Sequence, residues 1–179
     1  MVRLLLAIFL AAAAALAQAQ TNSPKVIIEE PGVMDRSYME RQRDKIDKLA
    51  RTRLGTQVRG NMSDLDLLQG IVDRQLIDSS DTESLQALGV ILGEVMVADF
   101  RALEWKIYID SVGRSRALCI TGTQHCLFPM TMLSRRMETG LKPDVRKVYE
   151  GAIDLVAEHL PHAPYGGGLL RNFPPATSR

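Results

Sequence analysis

The sequence predicts an α+β fold: one domain in which helices flank a small antiparallel three-stranded meander. Three observations predict it. From Ala87 to Val97 every residue except Glu94 is apolar or glycine, the composition of a helix buried on nearly all sides. From Leu103 to Asp110 the period changes to two, with Leu103, Trp105, Ile107 and Ile109 alternating with Glu104, Lys106, Tyr108 and Asp110. On both sides of this alternation, apolar residues recur at helical spacing.

The chain opens on an export signal. Arg3 is followed by an uncharged apolar run, Leu4 to Leu16, which ends in Ala15-Leu16-Ala17-Gln18-Ala19-Gln20. A basic start, an apolar middle and a small-residue exit mark residues 1–19 as a signal peptide, cleaved after Ala17 or Ala19. A membrane-spanning helix needs roughly 18 apolar residues, and this run is shorter. The mature chain is therefore expected in the periplasm or the medium, with no stable membrane insertion. Loss of Arg3 lowers the formal net charge from +1 to about zero. A neutral chain lacks the basic footprint that nucleic acid requires, so the expected partner is another envelope protein.

Residues 20–33, with Pro24 and Pro31, read as a linker that holds a short strand candidate at Val26-Ile27-Ile28. The domain is expected over 34–160. Residues 34–54 carry a thin apolar stripe of Met34, Tyr38, Ile46 and Leu49 through a charged helix. Ser63-Asp64-Leu65-Asp66 opens the next helix, whose face of Leu65, Leu68, Val72 and Leu76 runs to about Ile77. Ser80 and Glu83 form a capping-box pattern for the central helix. Gly89 and Gly93 share one face of that helix. Each costs about 1 kcal/mol of propensity, so another backbone is expected to approach closely there.

After the first strand, Ser111-Val112-Gly113 turns the chain into a second, residues 114–121. Gly122-Thr123 turns it into a third, residues 124–128. Pro129 starts a short helix that stops at Gly140, and Pro143 opens the last one, ending before Pro161. Residues 161–179, rich in proline and glycine, read as a disordered tail.

The block 85–155 resembles a bacterial family, domain of unknown function 3806. The resemblance rests on Leu85-Gln86-Ala87-Leu88-Gly89 with Gly93 and Glu94, on Trp105, Asp110, Gly113 and Phe128-Pro129, and on Arg135-Arg136-Met137-Glu138-Thr139-Gly140 with Asp144-Val145. It implies a fold and no chemistry.

Chemistry has few candidates. In an oxidising compartment an even pair of cysteines favours a disulfide. A turn at Gly122-Thr123 sets Cys119 opposite Cys126, at the wider ladder spacing of about 5.5 Å between Cα atoms. Glu94, alone in its apolar helix, needs a partner, with Arg135, Arg136 or Arg101 in view. His125 lies beside Cys126, but neighbouring strand residues point to opposite faces, so adjacency makes no Cys–His pair. His159, His162 and Glu158 form no ligand triad across Pro161, so no metal or cofactor is expected. Three readings follow: a non-catalytic accessory or interaction module, a hydrolase using Glu94, Asp110 or His125, or a thiol–disulfide protein using Cys119 and Cys126.

Overall fold

Helix α3, Thr82–Asp99, organises the molecule in the computed structural model, which describes residues 26–172. The expected signal peptide and residues 173–179 of the expected tail lie outside that range. Asp81 caps α3 by accepting from the Ser84 N–H at 3.0 Å. The expected cap, Ser80, instead turns its hydroxyl back to Asp78 at 2.6 Å. Leu85, Leu88, Ile91, Leu92 and Met96 of α3 are all fully buried. Helices α1 (Val33–Arg53), α2 (Asp64–Asp73) and α4 (Pro129–Glu138) pack around it, and α5 (Val145–Asp154) packs on α2. Helix α2 stops short of Ile77. Gln75 enters the left-handed region at φ 50, and the Leu76 N–H closes back on the Ile71 carbonyl at 3.1 Å.

The two α3 glycines admit two neighbours. A Cβ on Gly89 would lie 2.7 Å from Met130 N and nearer still to Met130 Cα, so the first turn of α4 crosses against the α3 backbone. A Cβ on Gly93 would lie 2.8 Å from Cη2 of Trp105, whose half-buried indole rests on the helix there. The close approach expected from sequence is therefore met twice, once by backbone and once by an aromatic ring.

The sheet is antiparallel in the order β1-β2-β3-β4, with β1 Ile27–Glu29, β2 Leu103–Ile109, β3 Arg114–Ile120 and β4 Cys126–Leu127. Among the described residues it has four strands where three were expected. The extra one, β1, comes from the segment expected as linker and pairs Ile27 with Ile109 and Glu29 with Ile107. It satisfies backbone groups on the outer edge of β2 that would otherwise be open, and the next residue, Glu30, forms an ion pair with Lys106 of β2.

Cys119 faces Cys126 in the β3–β4 ladder and the two form a disulfide. Their Cα atoms are 4.0 Å apart, the narrow spacing of a non-hydrogen-bonded pair rather than the wider one expected. The turn explains the difference. The Ile120 N–H donates to the His125 carbonyl at 2.9 Å, but the Ile120 carbonyl accepts from the Thr123 N–H at 3.0 Å, so the loop takes four residues instead of two.

Residues 161–172 are docked on the domain, contrary to the expected disordered tail. His162 bridges Leu169, and the Arg171 Nε donates to Asp99 at 2.8 Å. Asp99, at the end of α3, is 0% exposed and also accepts from the Tyr149 hydroxyl. A buried carboxylate at the negative end of a helix needs a cation, and Arg171 brings one back from the C-terminal side. Asn172 extends the clasp, donating its N–H to the Asp99 carbonyl at 2.7 Å.

Two stability tests follow from this packing. Gly89→Ala gains about 1 kcal/mol of helix propensity, but overpacking against α4 is expected to outweigh it, for a net loss of about 1–2 kcal/mol in urea unfolding. Gly151→Ala in α5, where nothing lies within 4 Å of the added Cβ, is expected to stabilise by up to about 1 kcal/mol. Equal melts for the two variants would refute the glycine contact. Reduction of Cys119–Cys126 releases a short loop and is expected to cost no more than about 2.5 kcal/mol. Loss of cooperative unfolding on reduction would show that the hairpin, rather than the α3 core, carries the fold.

Candidate functional site

Strand β3 is seven residues long, but β4 pairs only with Leu118 and Cys119. Among the described residues, the first half of β3, from Arg114 to Ala117, has no strand on that side. Past Phe128 the chain turns into α4, and a cleft of about 470 Å³ is lined by both α4 and the open half of β3. That volume is in the range of small-ligand pockets. Its lining includes Arg114, Arg116, Arg135, Gln86 and Thr131. Tyr108 and Phe128 supply an aromatic wall, with their rings edge to face at 5.2 Å.

The arginines of β3 are held from behind. Arg114 and Arg116 are two residues apart on the strand and so share a face. Asp35, at the third position of α1, takes two hydrogen bonds from Arg114, at 2.9 and 2.7 Å, and pairs with Arg116 at 3.1 Å. The Gly32 N–H also donates to Asp35 at 3.1 Å, closing the start of the helix. Tyr38, one turn along α1, lies under the Arg116 guanidinium, 4.1 Å from its ring centre. The Arg114 hydrogen bonds hold the Asp35 carboxyl down at about 2, against the opposing effect of its burial. Two guanidiniums thus share one carboxylate, and Arg116 Nε keeps no acceptor among the described residues. Arg135, exposed on α4, has no ion-pair partner among the described residues.

Glu94 lies elsewhere. It lines a groove of about 480 Å³ with Val90, Val97, Met39 and Trp105. Its partner is Arg43 of α1, at 3.0 Å, not Arg135, Arg136 or Arg101. Helix α1 crosses the solvent edge of α3 and brings Arg43 over Glu94, while Arg135 lines the other cleft and Arg136 donates to the Met132 carbonyl of its own helix. Burial raises the Glu94 carboxyl above its usual range, and Arg43 offsets part of that rise.

The other candidates are separated. Asp110 sits at the β2–β3 turn and accepts from the N–H groups of Val112 at 2.8 Å and Gly113 at 3.1 Å. His125 stacks on His159, with ring centres 3.5 Å apart and planes 12° apart, and His159 pairs with Glu158 at 3.1 Å. The groove holding Glu94 is lined by neither Asp110 nor His125. Asp35, Arg114, Arg116 and Arg43 escaped the sequence reading. An acid in the first turn of α1 and an Arg-x-Arg at a strand start were the visible signals, but the pairing joins residues 79 apart in sequence.

The fold is thus a helix-wrapped antiparallel meander with an arginine-lined cleft at its open strand edge. Residues 64–149 match the family described as domain of unknown function (DUF3806), in keeping with the resemblance read from the sequence. The match begins at α2, ahead of the block that carries the sequence resemblance. A crystal structure from Bacteroides thetaiotaomicron VPI-5482 has a similar fold, with a TM-score of 0.67 at 17% identity. The likeness covers 76% of this chain and 50% of that one, so this chain spans about half the length of that protein. No curated protein matches the sequence. Among the described residues, no helix is long and apolar enough to cross a membrane.

The arginine pair makes a pH prediction. The Asp35 carboxyl is lowered from 3.8 to about 2 on folding, so its contribution is complete above pH 4 and fades as pH falls toward 2. Because Arg114 is half exposed, that contribution is at most about 2 kcal/mol. Asp35→Asn is expected to be less stable than wild type at pH 6, with the gap closing between pH 4 and pH 2 in urea titrations. A gap of constant size down to pH 2 would refute the pairing.

Proposed function

We propose that the protein is an exported, non-catalytic binding module of the cell envelope. The observation that carries the reading is the contrast between the two kinds of site. Glu94, Asp110 and His125 are dispersed and each is already engaged, by Arg43, by a turn and by a stacked imidazole respectively. The arginine-lined cleft, in contrast, is preformed on a strand and a helix and open to a partner. The cysteines support the same reading. Cys119 is 1% exposed and bridged, as expected of a staple rather than an exchanging thiol. The export half of the proposal rests on the pattern of residues 1–19.

A hydrolase centred on Glu94 is the second reading. Its support is the raised Glu94 carboxyl in a groove beside Trp105.

Both readings are tested in cells that make the full chain. N-terminal sequencing of protein from the periplasmic fraction is expected to begin at Gln18 or Gln20. Site-specific photo-crosslinkers at Val112, beside the cleft, are expected to capture a discrete partner equally well in wild type and in Glu94→Gln. Recovery of the uncleaved chain from cytosol removes the export proposal. A cellular phenotype that Glu94→Gln abolishes, with the fold and the captured partner unchanged, turns the reading to the enzyme.

A further inference from the structure

We infer that the cleft beside β3 binds an extended peptide that ends in a carboxylate, added as a strand to the open half of β3 with its carboxylate on Arg135. The inference rests on the binding-module reading and names the ligand class of that module.

The backbone states the geometry. Hydrogen-bonding direction alternates along a strand. The Asp110 N–H donates to the Gly113 carbonyl at 3.1 Å on the β2 side, and the Ile120 N–H donates to the His125 carbonyl at 2.9 Å on the β4 side. Counting by twos, Ser115 and Ala117 direct their backbone groups to β2, whereas Arg114 and Arg116 direct theirs away from it. On that side β4 has already ended, because its register stops at Leu118 opposite Leu127. The backbone groups of Arg114 and Arg116 therefore open into the cleft, whose lining includes both residues. An unpaired strand edge facing a helix across a slot is the arrangement that takes up an extended segment by strand addition.

Charge selects the occupant. Arg114, Arg116, Arg135 and Asp110 are the charged residues of the lining, and Asp35 behind the strand offsets one of the β3 arginines, which leaves one net positive charge at the cleft. One carboxylate neutralises that charge, whereas a phosphate dianion would overshoot it. Arg135 is the cation of the lining that has no ion-pair partner among the described residues. A planar guanidinium suits a carboxylate, which it can engage through two hydrogen bonds. The Tyr108–Phe128 pair and Met130 provide an apolar surface for the side chains next to the terminus.

The test uses the intact purified protein and an acetylated pentapeptide of alternating Thr and Val with a free C-terminal carboxylate. Controls are the same peptide as its C-terminal amide, and inorganic phosphate. Binding is followed by NMR, with amide hydrogen exchange read residue by residue. The acid peptide is expected to slow exchange at the Arg116 N–H while leaving that of Ser115, already in the β2 ladder, unchanged. It is expected to bind roughly tenfold or more tightly than the amide, as loss of a charge-assisted hydrogen bond implies. Arg135→Gln should remove that preference without weakening the amide peptide, and Arg136→Gln, one residue along but outside the cleft, should change neither.

Equal binding of acid and amide overturns the role of Arg135. Binding without protection of the Arg116 N–H overturns strand addition. Phosphate binding in the cleft with no peptide binding overturns the ligand class, as does absence of any binding at millimolar peptide. These failures are distinct from failure of the module reading. A partner still captured in cells by Arg135→Gln protein, where the peptide tests have failed, leaves the module standing.

Discussion

The close approach permitted by Gly89 is the constraint on which the rest of this structure depends. A methyl group there would overlap the backbone at Met130, so α4 can start where it does only because α3 has no side chain at that point. Pro129, which cannot donate to a ladder, opens α4 at the same point and ends β4 after two residues. The short β4 leaves half of β3 open, and the diverted chain returns as the far wall of the cleft. A helix glycine thus determines, through packing, where the sheet stops and where a partner is offered room.

Buried carboxylates carry the second layer of organisation. Asp35 and Asp99 are both nearly inaccessible, and both are matched by arginines remote in sequence. Asp99 pins the C-terminal return through Arg171, while Asp35 ties α1 to the start of β3. Stripping either carboxylate of its arginine would leave a charge in a poorly solvated site, so each pair holds two distant segments in one arrangement. The pairs differ in what they leave over. The Asp99 site engages its arginine and a tyrosine hydroxyl, whereas the Asp35 site supplies one carboxylate for two guanidiniums, both from residues that line the cleft.

The regular periodicity of strands and helices made much of the fold readable. The period of two between Leu103 and Asp110 named β2, the pair Gly89 and Gly93 named a close contact, and the spacing of Cys119 and Cys126 named their bridge. The misses have a common cause. Ile27 to Glu29 were too few to read as a firm strand, because only the edge of β2 makes them one. Arg171 in a glycine- and proline-rich tail looked free, because Asp99, its partner, is 72 residues away. Glu94 was recognised as needing a cation, but Arg135, Arg136 and Arg101 were the candidates on paper, and only the packing of α1 against α3 brought Arg43 to it.

By itself the sequence determined most of the local elements and the cysteine pairing. Each follows from residues within a few positions of one another, where periodicity, turn chemistry and side-chain spacing act directly. Only the tertiary structure decided the cleft. Its charge depends on which arginines are neutralised, and its open edge depends on where β4 ends and α4 begins. Both are outcomes of long-range packing, in which contacts between residues tens of positions apart compete and the buried arrangement that leaves fewest charges and backbone groups unmatched prevails.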